Sequence, residues 1–248
     1  MSAARFVDLV TPHLDGSNPK LMTSLTVENY LKSTLQISLR DNLDWVTTGR
    51  LAAALNVSPG TVTSMMKTLA DGGLAEYRPY EGVNLTEEGR RVAMRVLRRH
   101  RLLELFLVQT LGLSWDQVHE EAEHMEHSVS DHLIDRIDEF LGHPQRDPHG
   151  DPIPSRTGDM PTLRRPLVAL TSLSPGDRVR IVRVTEQGGD FLRYLAEAGV
   201  VLGADGLIQQ NSPEAGVVSL EIAGATTTLG YPAASSVFVE HLDGATAE

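Results

Sequence analysis

Residues 47–77, TTGRLAAALNVSPGTVTSMMKTLADGGLAEY, constrain the fold more than any other stretch of this chain. Apolar residues recur at helical spacing in two short runs. Leu51, Ala52 and Leu55 share a face in about Thr48–Leu55, and Val62, Met65, Met66 and Leu69 do so in about Pro59–Asp71, which ends at Gly72-Gly73. Two short helices split by a turn, NVSPG, predict a helix-turn-helix. The next stretch, LAEYRPYEGVNLTEEG, alternates like a hairpin with Glu81-Gly82 at its tip, which makes the unit a winged helix. Small and hydroxyl-bearing residues (Ser58, Pro59, Gly60, Thr61, Thr63, Ser64) lie where the second helix would enter a groove, and Lys67 follows one turn on. Such groups donate to phosphates and base edges, and Arg78, with Tyr80 or Asn84, would reach the backbone from the wing. The expected partner is double-stranded DNA, rather than a protein or a mere packing role for the helical pair.

A net charge of −11 argues against nucleic acid only until it is divided. Residues 1–110 hold 13 Lys+Arg against 11 Asp+Glu, whereas residues 111–248 hold 9 against 22. Phosphate is attracted by local surface, so the near-neutral first half is the half that would bind it. No run of about 18 apolar residues and no leader pattern is present, so no membrane partner and a cytoplasmic location are expected. The chain has no cysteine, which leaves only nitrogen and oxygen donors for any metal.

Such donors crowd residues 119–127, HEEAEHMEH. At about 3.6 residues per turn, His119, Glu123, Glu126 and His127 fall on one side of a helix, with Glu120 and His124 directed elsewhere. Carboxylates mixed with imidazoles suit manganese, ferrous iron or zinc. His100 and Glu104 in RRHRLLELF also share a face, although alone His100 reads as an ordinary surface histidine. Both H-E-x-x-H and H-x-x-E-H need histidine at 123, where the chain has Glu123, and neither a G-x-S-x-G turn nor a G-x-x-x-x-G-K-[ST] loop occurs. No catalytic residue is expected.

Elsewhere, Leu25, Tyr30/Leu31, Leu35 and Leu39 predict a helix before the helix-turn-helix, Thr86 caps a long one after it, and a third covers about Trp115–Phe140. Residues 1–22 show no periodicity beyond a turn in HLDGSNPK, with Arg5 able to reach phosphates. From LGHPQRDPHGDPIPSRTGDMPTLRRP the Pro/Gly content predicts a linker, and short β-rich runs after it (DRVRIVRVTE, GLIQQ, VVSLEIAG, SVFVEHL), with one helical piece, DFLRYLAEAG, predict a small barrel. The divisions expected are 1–95 for an extension and the winged helix, 96–145 helical, 146–166 linker, and 167–248 β-rich.

Taken in order, ENYLKS, SPGTVTSMMKTLADGGL, LTEEG, RRHRLLELFL, VHEEAEHMEH and GDPIP resemble the diphtheria toxin repressor family, over about residues 24–155. The tail from about Leu167 is similar to the SH3-like domain of its iron-dependent members and of small ferrous-iron-transport proteins. The resemblance implies a mainly α fold with small β: an N-terminal winged helix-turn-helix, a helical dimerisation and metal-binding domain, and a C-terminal SH3-like β-barrel. It implies a homodimer that binds a divalent metal and then represses transcription at palindromic operators of metal-homeostasis genes. Its primary metal site falls at Asn29, Glu123, Glu126 and His127. Its second site falls at His100, Glu104 and His119, with Gln187 and Asp190 from the SH3-like domain. His124 and His132 match no ligand.

Iron-type members carry cysteine at the position of Glu123 and methionine at that of Asn29. Glutamate is the manganese-type choice and hardens the site, which favours Mn2+ over Fe2+. Manganese-type members, however, usually place aspartate at Asn29 and glutamate at Lys32, and a charged lysine is no ligand. Metal would tie the first helix to the HEEAEHMEH helix and so fix the spacing of two reading heads, while carboxylates left without it would repel one another. The expected dimer face is the apolar side of about Leu102–Leu113 with Leu133 and Ile137. Two rivals stand beside this reading: a winged-helix regulator of a small organic ligand, which would bind DNA equally well in chelator, and a metal-dependent hydrolase, which would turn over esters or phosphates.

Overall fold

A computed structural model describes residues 24–162 and 166–242. The turn expected at HLDGSNPK, and Arg5, lie outside the described residues. Helix α1 (Leu25–Asp41) starts where Ser24 accepts a hydrogen bond from the Val27 amide and stops at Asn42, whose left-handed backbone (φ 51°) ends the coil. Helices α2 (Thr48–Leu55) and α3 (Pro59–Asp71) begin the same way, on the hydroxyls of Thr47 and Ser58, with Pro59 preorganising the first turn of α3. Each such cap contributes about 1 kcal/mol and, more usefully here, fixes where the helix starts. Strands β1 (Ala75–Arg78) and β2 (Gly82–Leu85) pair antiparallel as the wing, and a bridge from Val46 to Val83 anchors it beside α2. Leu31, Leu35, Leu51, Val62, Met66, Leu69, Val83 and Leu97 close one core beneath the helix-turn-helix.

Helix α4 (Glu87–Leu111) crosses residues 95 and 96 without a break and carries that core into the next one. It can pass the wing closely because residue 89 is glycine: a Cβ there would stand 1.8 Å from the Leu74 carbonyl oxygen. The single helix expected over about Trp115–Phe140 is instead two, α5 (Val118–Met125) and α6 (Asp131–Phe140). Ser130 is the reason. Its hydroxyl accepts from the Leu133 amide and starts a new helix, at the expense of continuing the old one. Leu102, Leu103, Ala122, Ile134, Ile137 and Ile153 form the second core.

The Pro/Gly-rich stretch is also more than a linker. Asp147 accepts from the amides of His149 (2.8 Å) and Asp151 (2.9 Å), so residues 147–151 fold into a tight turn with Asp147, His149, Asp151 and Ile153 buried. Beyond it a six-stranded antiparallel sheet runs in the order β3 (Val168–Ala169), β8 (Val237–His241), β4 (Arg178–Val184), β5 (Asp205–Ser212), β6 (Val217–Ile222), β7 (Ala225–Gly230). Helices α7 (Gly189–Glu197) and α8 (Tyr231–Ser235) complete this domain, and Ile181, Leu192, Leu195, Leu220 and Val239 lie in its core. Among the described residues no helix is long and apolar enough to cross a membrane.

Candidate metal centre

Helix α4 contributes His100 and Glu104, α5 contributes His119 and Glu123, and the turn after α5 contributes Glu126 and His127. Helix α1 faces them with Glu28, Asn29 and Lys32. His100, read from sequence as a surface residue, is only 2% exposed, because α4 turns that face toward α5.

At one end His127 Nε2 stands 2.6 Å from Asn29 Oδ1 and 3.1 Å from Glu126 Oε1. Its other nitrogen, Nδ1, is 2.6 Å from Glu28 Oε2. In the tautomer that directs the Nδ1 proton at Glu28, the electron pairs of Nε2 and Asn29 Oδ1 converge beside Glu126 Oε1, which also accepts from the Lys32 ammonium at 2.6 Å, and this nitrogen-oxygen set fits a cation. Glu28, which sequence reasoning passed over, is the partner of His127 Nδ1. Its place beside Asn29 in ENYLKS, one residue from a ligand candidate, was the available signal.

In the middle, His100 Nε2 lies 2.9 Å from Glu104 Oε1 and 3.1 Å from His119 Nδ1, and His119 Nδ1 is 3.2 Å from Glu104 Oε1. His100 Nδ1 is 2.6 Å from Glu126 Oε2, so the two groups share one network. Among the described residues, the His, Asp and Glu sets whose donor atoms lie within 4.8 Å of one another are Glu123/Glu126/His127, His100/His119/Glu123 and Glu104/Asp147/His149. The third was not read from sequence. Glu104 Oε2 and His149 Nδ1 point at each other across 3.7 Å, both buried and neither with a hydrogen-bond partner, while His149 Nε2 is held 2.8 Å from the Trp115 carbonyl. Orphaned buried donors of this kind fit a hard or borderline divalent ion.

Gln187 and Asp190 are not brought into any of these sets. Gln187 donates to Asp151 Oδ2 at 3.1 Å, and Asp190 is paired with Arg193 at the surface. The turn at 147–151 lies between α4 and the β-rich domain, so Asp147 and His149 stand beside Glu104, where Gln187 and Asp190 were expected. The expected repulsion of uncompensated carboxylates also needs correction. The Lys32 ammonium, itself buried, lies 2.5 Å from Glu123 Oε1 and 2.6 Å from Glu126 Oε1 and offsets one of their two charges.

Burial alone would lower the pKa of His100, but Glu104 and hydrogen bonds to Glu104 and Glu126 outweigh it and lift the imidazolium to about 9. Burial likewise pushes the Glu104 carboxyl up, yet His100 beside it holds it well below the usual range. Asp147, desolvated and next to Asp151 and Glu104, is raised to about 7. An unfolded chain releases the His100 proton near 6.5. Its contribution to stability is therefore complete below that pH and is lost as pH climbs through about 9. In chelator the midpoint of thermal unfolding should fall across this window. A midpoint that holds or rises from pH 6.5 to 9 would contradict the assignment.

On the DNA-binding unit, Ser58, Pro59, Gly60, Thr61, Ser64 and Lys67 are exposed along the start and outer face of α3. Thr63 is half-buried, its hydroxyl bonded to the Pro59 carbonyl. Arg78 lies 4.3 Å over the Trp45 ring and pairs with Glu81, and Tyr80 stands fully exposed at the wing tip.

The same order of parts is found in known proteins. Residues 22–83 match the iron dependent repressor N-terminal DNA binding domain, residues 86–155 the iron dependent repressor metal binding and dimerisation domain, and residues 168–241 the FeoA domain. The iron-dependent repressor IdeR of Mycobacterium tuberculosis is 34% identical over 228 residues, covering 86% of this chain and 99% of that protein. The chain belongs to the iron-dependent repressor family. It is a metal-dependent transcriptional repressor by descent, with a DNA-binding domain, a metal-binding domain and an SH3-like tail. Within this family it is also similar to a structure of a manganese-dependent transcriptional repressor in complex with manganese (42% identity, TM-score 0.78, covering 87% of this chain and 99% of that one). The MntR regulator of Geobacillus kaustophilus is 37% identical over 97 residues, 39% of this chain and 68% of that protein.

Proposed function

We propose that the protein is a manganese-responsive repressor, with ferrous iron as its second choice, that binds palindromic operators of metal-homeostasis genes as a homodimer. The observation that carries the reading is the meeting of Asn29 on α1 with Glu126 and His127 beyond α5, since α1 belongs to the unit that bears α3. Asn29, Glu123, Glu126 and His127 would hold one ion; His100, Glu104 and His119, with Asp147 and His149, supply the donors for a further one. A bound divalent ion would supply positive charge and directional bonds to these donors. Glu123 in place of a thiolate, and an amide oxygen in place of a thioether, make the donor set hard, which favours manganese.

The residues then act as a brace. Asn29 fixes α1 against the turn after α5, α1 carries the helix-turn-helix core, and the two α3 helices of a dimer keep the one-turn spacing that a palindrome demands. The result is a larger fraction of dimers in the binding geometry. For the dimer face we favour the exposed side of Leu111, Leu133 and Phe140 with Phe106 packed edge-on to Phe140 at 6.2 Å. Ile137, 6% exposed, belongs to the protomer's own core instead. Ser58, Pro59, Gly60, Thr61, Thr63, Ser64, Lys67 and Arg78 are the residues we assign to DNA, and we assign no catalytic residue.

Fluorescence anisotropy on DNA from upstream of its own gene and of metal-transporter genes tests this. The run is made in chelator, then with manganese, ferrous iron and zinc in turn. Tight binding only with metal, strongest with manganese, is the expected result. Equal binding in chelator would remove the metal from the switch and favour a different effector.

A further inference from the structure

Lys32 is the buried charge that the metal reading leaves unused. It sits on α1, 2% exposed, and its ammonium is held by Glu123 Oε1 and Glu126 Oε1. Glu126 has no exposure at all, and its other oxygen is taken by His100 Nδ1. The Glu126 oxygen that Lys32 holds is thus the one a divalent ion at Glu123, Glu126 and His127 would need. An ammonium and a dication bound to one carboxylate would stand a few ångströms apart in a place where water does little to screen them.

We propose that Lys32 is a tethered competitor for this site: its ammonium fills the gap between Glu123 and Glu126 in the metal-free protein, and its withdrawal is required for metal to engage both carboxylates. The competition raises the metal concentration at which the protein responds. The proposal rests on the metal-dependent reading above, and adds to it a residue that no ligand set includes.

Isothermal titration of manganese into the full-length protein and into Lys32→Met tests it, because methionine keeps most of the stem and removes the charge. Manganese should bind the variant tighter by about tenfold or more, with a larger metal-induced rise in the unfolding midpoint. Unchanged or weaker binding by a cooperatively folded variant would overturn the competitor alone. Absence of binding by both proteins would overturn the metal reading and the competitor together. The native protein offers a second measurement that needs no variant. The chain has three lysines, Lys20, Lys32 and Lys67, so side-chain nitrogen NMR is simple to assign. A protected ammonium signal from Lys32 should be present in chelator and vanish at saturation with diamagnetic zinc. Its persistence unshifted at saturation would overturn the proposal.

Discussion

Replacing Glu126 by glutamine should abolish metal-responsive operator binding in a chain that still folds. Glu126 is fully buried, and its carboxylate is the junction of the centre: Oε1 meets Lys32 at 2.6 Å and His127 at 3.1 Å, and Oε2 meets His100 at 2.6 Å. Glutamine keeps the shape, can accept from Lys32 through its remaining carbonyl, and leaves that ammonium its second partner, Glu123. The fold therefore loses one leg of a buried network rather than stranding a charge, which places the destabilisation below the roughly 3–5 kcal/mol of a fully broken buried pair. The metal loses a charged donor outright. Removal of an outer partner alone typically weakens metal binding by about 10- to 100-fold, so a ligand should exceed the upper end of that range. Calorimetry and anisotropy on the variant, beside a thermal melt in chelator, check both halves. Manganese-dependent DNA binding at native affinity would remove Glu126 from the ligand set and leave it a structural acid.

The parts of the architecture that could be read from sequence are those set by neighbours in the chain. Thr47, Ser58 and Thr86 cap helices whose apolar spacing is already periodic, so the winged helix needed no tertiary information. The i to i+4 spacing of His100 with Glu104 and of His119 with Glu123 likewise survives folding, because a helix carries its own geometry. What local pattern hides is where separate segments meet. Asp147 and His149 sit among prolines and glycines that read as a linker, and only the turn closed by Asp147 and the packing of Trp115 on His149 bury them. Strand β7 escaped notice for a similar reason: ATTTLG lacks an apolar alternation, and pairing with β6 is what makes it a strand. The sequence shows that a charged Lys32 is no ligand, but its position between Glu123 of α5 and Glu126 of the following turn is a long-range fact.

Alanine at Gly150 should uncouple the SH3-like domain from the metal centre. Gly150 has φ +84°, and a Cβ there would stand 2.0 Å from the Val182 carbonyl oxygen and 2.7 Å from the Arg183 Cα. Both obstacles are backbone of β4, so no side chain can swing aside. The contacts that would be forced apart are among those that hold the domain on: Val184 N to the His149 carbonyl at 2.8 Å, Arg183 to Asp151 at 2.5 Å, and Gln187 to Asp151 at 3.1 Å. The left-handed backbone adds about 1–2 kcal/mol for a residue with a Cβ, and displacement of the strand should bring the total to about 3 kcal/mol or more. Gly142→Ala separates the two terms, since Gly142 has φ +76° with nothing within 4 Å of its added Cβ. Gly150→Ala should melt well below Gly142→Ala and bind fewer ions per protomer by native mass spectrometry, because moving residue 150 drags His149 away from Glu104. The Glu123, Glu126 and His127 group, built on α5 and the turn after it and away from residues 147–151, should keep its ion. Equal melting of the two variants with equal ion counts would mean that the turn is not what places His149, and that Glu104 meets its metal without help from residues 147–151.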